Sequence, residues 1–310
     1  MASRNVLDPT KSSFDIDRAR QLLYLGKLAR KRFKAGPDQL LNSLPGESGS
    51  DYTVLQDLLF SQIFFLRKKS VVFGFVAQRD NEFFIVFRGS QTIGDWVSNT
   101  RFYQSWKPLE VEVPGKSDPV AVPGYVHKGF RAQYTRPDPK RPAGLQSISE
   151  SIRTTFAKHF DESKPIDQRR IYIAGHSLGG ALATLAAAEL RTIYKDAEIY
   201  LYTSASPRVG NSDFEDFFDA EGKSEGIKKT KAFRIFNTVD AVPNLPPRFE
   251  SPMEGPKYVH VGEPFAFTNN SRGRLPQRLQ YQHTLPIYAC ALGLDPEDYR
   301  YDDKPLPFNC

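Results

Sequence analysis

Residues 171–190 read IYIAGHSLGGALATLAAAEL, and no other stretch constrains the fold of this chain as tightly. An isoleucine-rich apolar run ends at Gly175, Ser177 stands between Gly175 and Gly179, and an alanine-rich segment follows. The first part suits a strand buried on both faces and the last a closely packed helix. Gly175-His176-Ser177-Leu178-Gly179 thus matches the G-x-S-x-G pattern at a strand-to-helix turn. A turn this sharp strains the serine backbone, so its neighbours must be small. It also lifts the hydroxyl clear of the sheet, where the helix N-terminus presents backbone N–H groups to developing negative charge. The bland alternative is a glycine-rich turn with a solvated serine. The strand before it and the helix after it weigh against that reading.

The surrounding chain alternates helix and strand. Residues 14–33 and 51–66 read as helices with apolar faces, giving an N-terminal helical portion, residues 1–66, packed on the remainder. Residues 70–90 hold two β-rich runs separated by Asp80-Asn81, a hairpin signature. Residues 105–124, rich in Pro and Gly, predict a long loop or irregular hairpin. Leu145, Ile148, Ile152, Phe156 and Phe160 form one stripe of a helix. Strands are expected at 171–174, 198–204 and 232–237, with a helix at about 178–194. Short, nearly all-apolar strands alternating with helices imply an α/β fold, with a mainly parallel sheet flanked by helices on both faces. No linker composition divides the 310 residues, so one domain spanning 1–310 is expected.

A serine hydroxyl is a weak nucleophile until a neighbouring base takes its proton, and histidine suits that task. The chain has five: His127, His159, His176, His260 and His283. His159 ends an amphipathic helix and reads as a surface residue. His176 adjoins the serine, so its side chain should diverge at the turn. In G-x-S-x-G enzymes of this order, an acid and then the base follow the serine, which leaves His260 and His283. His260 lies in the strand-like run KYVHVGEP and reads better as a structural residue. His283, in LQYQHTLPIYACAL, sits on a loop before an apolar helical segment, where a base can reach the serine. The best acid is Asp240, at the end of the strand in FRIFNTVDAVPNLPP, with prolines stiffening the loop behind it. Asp213, Asp216 and Asp219 instead read as a solvated helix face.

Composition narrows the remaining classes. Apolar residues make up 40% and charged residues 25%, an ordinary globular balance. A net charge of +6 does not identify a nucleic-acid binder, and none is expected as partner. The basic stretch LARKRFKAG, residues 28–36, reads first as a solvated helix end and second as a phospholipid-facing patch. No run reaches the roughly 18 apolar residues of a membrane span. The N-terminus lacks the apolar core of a secretory signal. These features favour a cytoplasmic or peripherally membrane-associated location over a secreted one. Cys290 and Cys310 leave either one bridge at the C-terminus or, the favoured reading, two reduced thiols.

Several segments in fixed order resemble the class 3 lipase family, which includes the filamentous-fungal triacylglycerol lipases: VFRGS (86–90), GYVHKGF (124–130), AGHSLGGALA (174–183), TSASPRVGN (203–211), then VDAVPNLPP and YVHVGE. The resemblance runs over about residues 70–290 and implies the α/β-hydrolase fold. Matched residue by residue, it implies a triad of Ser177, Asp240 and His283, with oxyanion donors at Ser90 and Leu178. His127 and His260 match positions without a catalytic role. The family's lid follows the first oxyanion residue, and SQTIGDWVSN (90–99) places Trp96 at the family's spacing. Ile93, Trp96 and Val97 would share one face of a short helix, either a flap over the serine or a helix packed on the core. Two departures stand out. Ala205 replaces a common glycine, and two cysteines cannot form the several disulfides of secreted fungal members. The implied activity is hydrolysis of acyl-lipid esters at a lipid–water interface or membrane surface, with no cofactor or metal. Triacylglycerol, monoacylglycerol, phospholipid, galactolipid and feruloyl esters all remain open, as does a lipase-like scaffold without chemistry. The oligomeric state is not legible.

Overall fold

A computed structural model describes residues 13–36, 42–46, 50–64, 67–90, 106–137, 146–165, 169–219, 230–247, 257–269, 280–300, 306 and 308. Twelve strands are described: β1 (Ser43–Leu44), β2 (Tyr52–Phe64), β3 (Arg67–Arg79), β4 (Glu82–Phe87), β5 (Trp106–Lys107), β6 (Glu110–Val111), β7 (Val120–Ala121), β8 (Val126–His127), β9 (Arg170–His176), β10 (Glu198–Ser204), β11 (Lys231–Asn237) and β12 (Glu263–Phe267). The helices are α1 (Ile16–Ala35), α2 (Lys128–Thr135), α3 (Ile148–His159), α4 (Leu178–Ile193), α5 (Ser212–Asp219) and α6 (Leu285–Ala291).

Eight strands make the central sheet, in the order β1-β2-β3-β4-β9-β10-β11-β12. From β4 to β12 every neighbour is parallel, whereas β1 to β4 pair antiparallel. The two-residue period of the central strands divides their side chains between two cores. Phe83, Ile85 and Phe87 of β4, with Ile171 and Ile173 of β9, pack with α3 and α4. Phe84, Val86, Tyr172 and Ala174 point the other way and pack with α1 and α6. A strand covered on both faces has no polar side, which is why IYIA reads as unbroken apolar sequence.

Each end of α1 is fixed by its own contacts. Asp15 caps its N-terminus, accepting from the Arg18 N–H at 3.0 Å. The Arg18 guanidinium grips the Glu82 carboxylate through two bonds of 2.8 and 2.9 Å. At the other end the Arg88 guanidinium lies 3.8 Å from the Phe33 ring centroid. Glu82 opens β4 and Arg88 follows it, so α1 runs alongside β4 from the amino edge of the parallel strands to their carboxyl edge.

One expected helix is a strand. Residues 52–64 pair with β3 in a long antiparallel hairpin, so of the two helices expected within residues 1–66 the described residues hold only the first, α1. Register shifts between Val54 and Gln56 and between Leu58 and Leu59 reset the alternation twice. Val54 therefore packs on one core and Leu55 and Leu58 on the other, in a spacing that mimics a helical stripe. The Asp80-Asn81 turn is present, with Asp80 in the left-handed region at φ 55°. Residues 106–127 form two short strand pairs, and β12 was not anticipated. The favoured reading of two reduced thiols is overturned, because Cys290 is disulfide-bonded. Cys310 lies outside the described residues.

Candidate active site

Ser177 sits between β9 and α4 with φ 59° and ψ −127°, a strained conformation for a residue with a side chain. Close packing holds it there. A Cβ on Gly175 would lie 2.1 Å from the Gly179 carbonyl oxygen, and one on Gly179 would lie 2.5 Å from that of Arg88. Only glycine fits either position, so strand and helix approach closely and the serine is pushed up between them.

β11 delivers Asp240 to the same carboxyl edge, and the turn before α6 delivers His283. His283 Nε2 lies 2.7 Å from Ser177 Oγ, and its Nδ1 lies 2.7 Å from Asp240 Oδ2. A carboxylate only accepts, so Nδ1 carries the hydrogen and Nε2 is left to accept from the hydroxyl. All three side chains are buried. The second Asp240 oxygen accepts from the Val242 N–H at 2.9 Å, and the Tyr288 hydroxyl donates to Oδ2 at 2.8 Å. Burial pushes the Tyr288 phenol well above its ordinary value, and the nearby Asp240 carboxylate adds to the rise, so it stays a donor.

Ser90 lies beside this turn. The Gly89 backbone packs against it, such that a Cβ there would be 3.4 Å from Ser177 Cβ. The buried Arg88 guanidinium donates to the Gly89 carbonyl at 2.7 Å and to that of Val72 at 3.0 Å, which fixes the peptide leading into Ser90. Burial lowers the Arg88 guanidinium to about 9, with Arg30 contributing. Leu178 opens α4, and the N–H of a first helical residue has no intrahelical acceptor. Ile93, Trp96 and Val97 lie outside the described residues.

The other histidines are held differently. His127 caps α2, its Nδ1 accepting from the N–H groups of Gly129 and Phe130. His260 donates from Nε2 to the Pro243 carbonyl at 2.8 Å. His159 is exposed, as are Asp213 and Asp216 on α5. His176 diverges from Ser177 but stays near the site. Its Nε2 donates to the His283 carbonyl at 2.9 Å, so its Nδ1 accepts from the Ser204 hydroxyl at 3.0 Å. Burial, reinforced by His283, holds its pKa well below the ordinary value and keeps it neutral.

Three supporting residues escaped sequence reasoning: His176, Tyr288 and Asn237. The Asn237 amide donates to the carbonyls of Asn269 and Gln282 and so braces the loop before His283. Its only sequence signal is an amide at the end of a β-strand. Tyr288 lies five residues beyond His283, with nothing in the sequence to aim it back. Among the described residues no cluster of three or more His, Cys, Asp or Glu could hold a metal ion.

A mostly parallel sheet with helices on both faces, bearing a serine on a strained strand-to-helix turn at its carboxyl edge, defines an α/β-hydrolase. The family described as Lipase (class 3) matches residues 84–250, more than half of the chain. The chain belongs to the class 3 lipase family. It is 32% identical over 201 residues to a lipase of Rhizomucor miehei, covering 63% of this chain and 45% of that protein. A phospholipase A1-II 1 of Oryza sativa subsp. indica is 30% identical over 186 residues, covering 58% of this chain and 45% of that protein. The chain thus spans less than half the length of these two relatives. Among solved structures, a triacylglycerol lipase from Penicillium expansum superposes with a TM-score of 0.51 at 17% identity, covering 96% of this chain and 93% of that one. That likeness concerns the fold alone.

Proposed function

We propose that the protein hydrolyses carboxylic esters of acyl lipids, triacylglycerol-type substrates first, through an acyl-enzyme on Ser177. The observation that carries the proposal is the chain of two 2.7 Å contacts from Ser177 Oγ through His283 to Asp240. In this reading His283 Nε2 takes the hydroxyl proton as Ser177 Oγ attacks the ester carbonyl carbon. The backbone N–H groups of Ser90 and Leu178 receive the negative charge that develops on the carbonyl oxygen. Removing one such donor costs about 3 kcal/mol of transition-state stabilisation. His283 then returns the proton to the departing alcohol oxygen. Water cleaves the acyl-enzyme by the same steps, with His283 as base, and restores the serine. Asp240 holds the imidazole in the required tautomer and stabilises its charged form without taking the proton.

The rice phospholipase A1 relative favours one second reading, ester cleavage in membrane glycerolipids. Product analysis by mass spectrometry on neutral lipids, phospholipids and galactolipids separates the two. The chemistry itself is tested by Ser177→Ala. Turnover of a chromogenic acyl ester should fall to background while the thermal unfolding curve is retained. A fluorophosphonate probe should label the wild-type chain and not the variant. Wild-type protein that is folded but unlabelled would overturn the proposal in favour of a non-catalytic scaffold.

A further inference from the structure

Arg88 is 2% exposed, and among the described residues no carboxylate pairs with it. Arg30, another cation, adds to the desolvation that opposes its charge. A cation buried on these terms is costly, and such local costs concentrate at functional sites. Its surroundings are built to hold it. β3 carries an extra residue here: Leu58 pairs with Gly74 and Leu59 with Val72, so Phe73 stands opposite neither. The bulge presents the Val72 carbonyl to Arg88 Nε and the Phe73 carbonyl to the Arg88 N–H, each at 3.0 Å. Arg88 Cζ lies 3.8 Å from the Phe33 ring centroid and 4.5 Å from that of Phe73, two cation–π contacts that orient the fork. Nη1 donates to the Gly89 carbonyl at 2.7 Å, whereas Nη2 meets no acceptor among the described residues. A neutral amide could satisfy two carbonyls without burying a charge, so capping them does not account for a guanidinium.

The peptide that Arg88 grips is the one that carries the Ser90 N–H. It is trans, since the one cis bond among the described residues is Leu245-Pro246. In a planar trans peptide the C=O and N–H point in opposite directions. With the Gly89 carbonyl turned to the guanidinium, the Ser90 N–H is turned away from it. Among the described residues that N–H meets no acceptor. The same segment adjoins the nucleophile and its neighbour, because a Cβ on Gly89 would lie 3.4 Å from Ser177 Cβ and 3.1 Å from His176 Cδ2. A charged donor on a carbonyl also draws electron density from the amide across the peptide, and linked hydrogen bonds strengthen one another.

We infer that Arg88 is a positioning residue for the oxyanion site: it aims the Ser90 N–H and strengthens it as a donor while charge develops on the substrate carbonyl oxygen. This role rests on the ester-hydrolysis reading of Ser177 and extends it from the donor to the group that holds the donor. A neutral ester gains less from a strengthened donor than the anionic tetrahedral species does. The effect therefore belongs to kcat and not to KM.

The experiment is steady-state hydrolysis of a soluble chromogenic acyl ester, with rates expressed per folded molecule. Arg88→Met keeps an unbranched side chain without the charge. It should lower kcat about 100-fold, the low end of what losing a whole oxyanion donor costs, and leave KM within about threefold. Arg88→Lys keeps a cation but not the fork that reaches two carbonyls, and should recover about tenfold of that loss. Phe33→Leu leaves the guanidinium in place, removes one of its two rings and should fold like wild type. Its kcat should fall about threefold with KM unchanged. In all three variants the midpoint of the pH profile of kcat/KM should match wild type, because the triad is untouched. A folded Arg88→Met variant with kcat within about threefold of wild type would overturn the role. So would equal losses in Arg88→Met and Arg88→Lys, or a shifted midpoint, which would place the damage in the triad. Should neither Arg88 variant fold, Phe33→Leu decides, and an unchanged kcat there overturns the role. Wild-type protein that fluorophosphonate fails to label would lose the reading of Ser177 itself. Labelled wild type with fully active variants would lose only the role of Arg88.

Discussion

Two buried carboxylates, Glu189 and Asp240, are each 1% exposed and each accept from a tyrosine, yet they are built for different ends. Glu189, on α4, accepts from the Tyr134 hydroxyl on α2 and from Ser149 of α3 at 2.7 Å. It also pairs with Arg153 of α3 at 3.0 Å, and Arg153 reaches on to Glu112. Burial nevertheless raises the Glu189 carboxyl above its ordinary value. Each of these partners of Glu189 is a fixed donor, so the network ties three helices together and ends there. Asp240 has one partner, the His283 imidazole, with two ring nitrogens. That partner presents its other nitrogen to a serine held in a strained turn. The difference shows that burial and satisfied hydrogen bonds do not distinguish the two carboxylates. What distinguishes them is that the imidazole beside Asp240 has a second nitrogen that reaches the serine.

The comparison can be broken at several points. The largest effect is expected for Asp240→Asn, which keeps the shape but lets Nδ1 accept rather than donate. Turnover of a soluble ester should fall about 10⁴-fold, as tautomer reversal does in serine hydrolases. An Asp240→Asn variant within tenfold of wild type would remove Asp240 from the proposed mechanism. Glu189→Ala should do the reverse. It leaves the Tyr134 and Ser149 hydroxyls buried without their acceptor, at a cost of about 3 kcal/mol in denaturant unfolding, with turnover per folded molecule intact. Loss of turnover without loss of stability would erase the contrast between the two carboxylates.

Acid sharpens the comparison further. Burial lowers His127 to about 4, so the folded chain favours its neutral form. A depressed folded pKa contributes stability that is present above about pH 6.5, the ordinary value, and is lost as pH falls toward 4. The full effect is of order 3 kcal/mol for a shift of this size. His176 acts in the same direction. Thermal unfolding from pH 7.5 to 4 should show Tm falling below about 6.5. His127→Asn, which keeps a capping side chain on α2, should flatten part of that fall. An unchanged slope would show that His127 does not contribute. The smallest effect is expected for Tyr288→Phe, which removes one of three described donors to Asp240. A loss of about 1 kcal/mol in stability and several-fold in turnover is expected. A loss as large as that of Asp240→Asn would mean that the hydroxyl, more than the imidazole, holds the carboxylate in place.

The parts of this molecule that were legible in advance share a cause. IYIA, AFRIFN and the alanine run carry unbroken local signals, because a strand covered on both faces and a tightly packed helix each need one kind of side chain throughout. The glycines around Ser177 were legible because a single backbone geometry excludes every other residue. Residues 52–64 were misread because two register shifts moved their apolar side chains from one core to the other. In the sequence, only a position on a loop favours His283 over His260. The structure separates them by what each ring nitrogen touches, Ser177 and Asp240 for one and the Pro243 carbonyl for the other.

Sequence by itself determined the turn at Ser177 and the alternation of buried strands with helices, because each is encoded by neighbours a few positions apart. Only the tertiary structure decided that His176 and Asn237 brace the His283 loop, that Tyr288 reaches Asp240, and that Phe33 at the end of α1 meets Arg88. Those contacts join residues tens to hundreds of positions apart. They depend on how elements pack, a property that no local pattern of polar and apolar residues records.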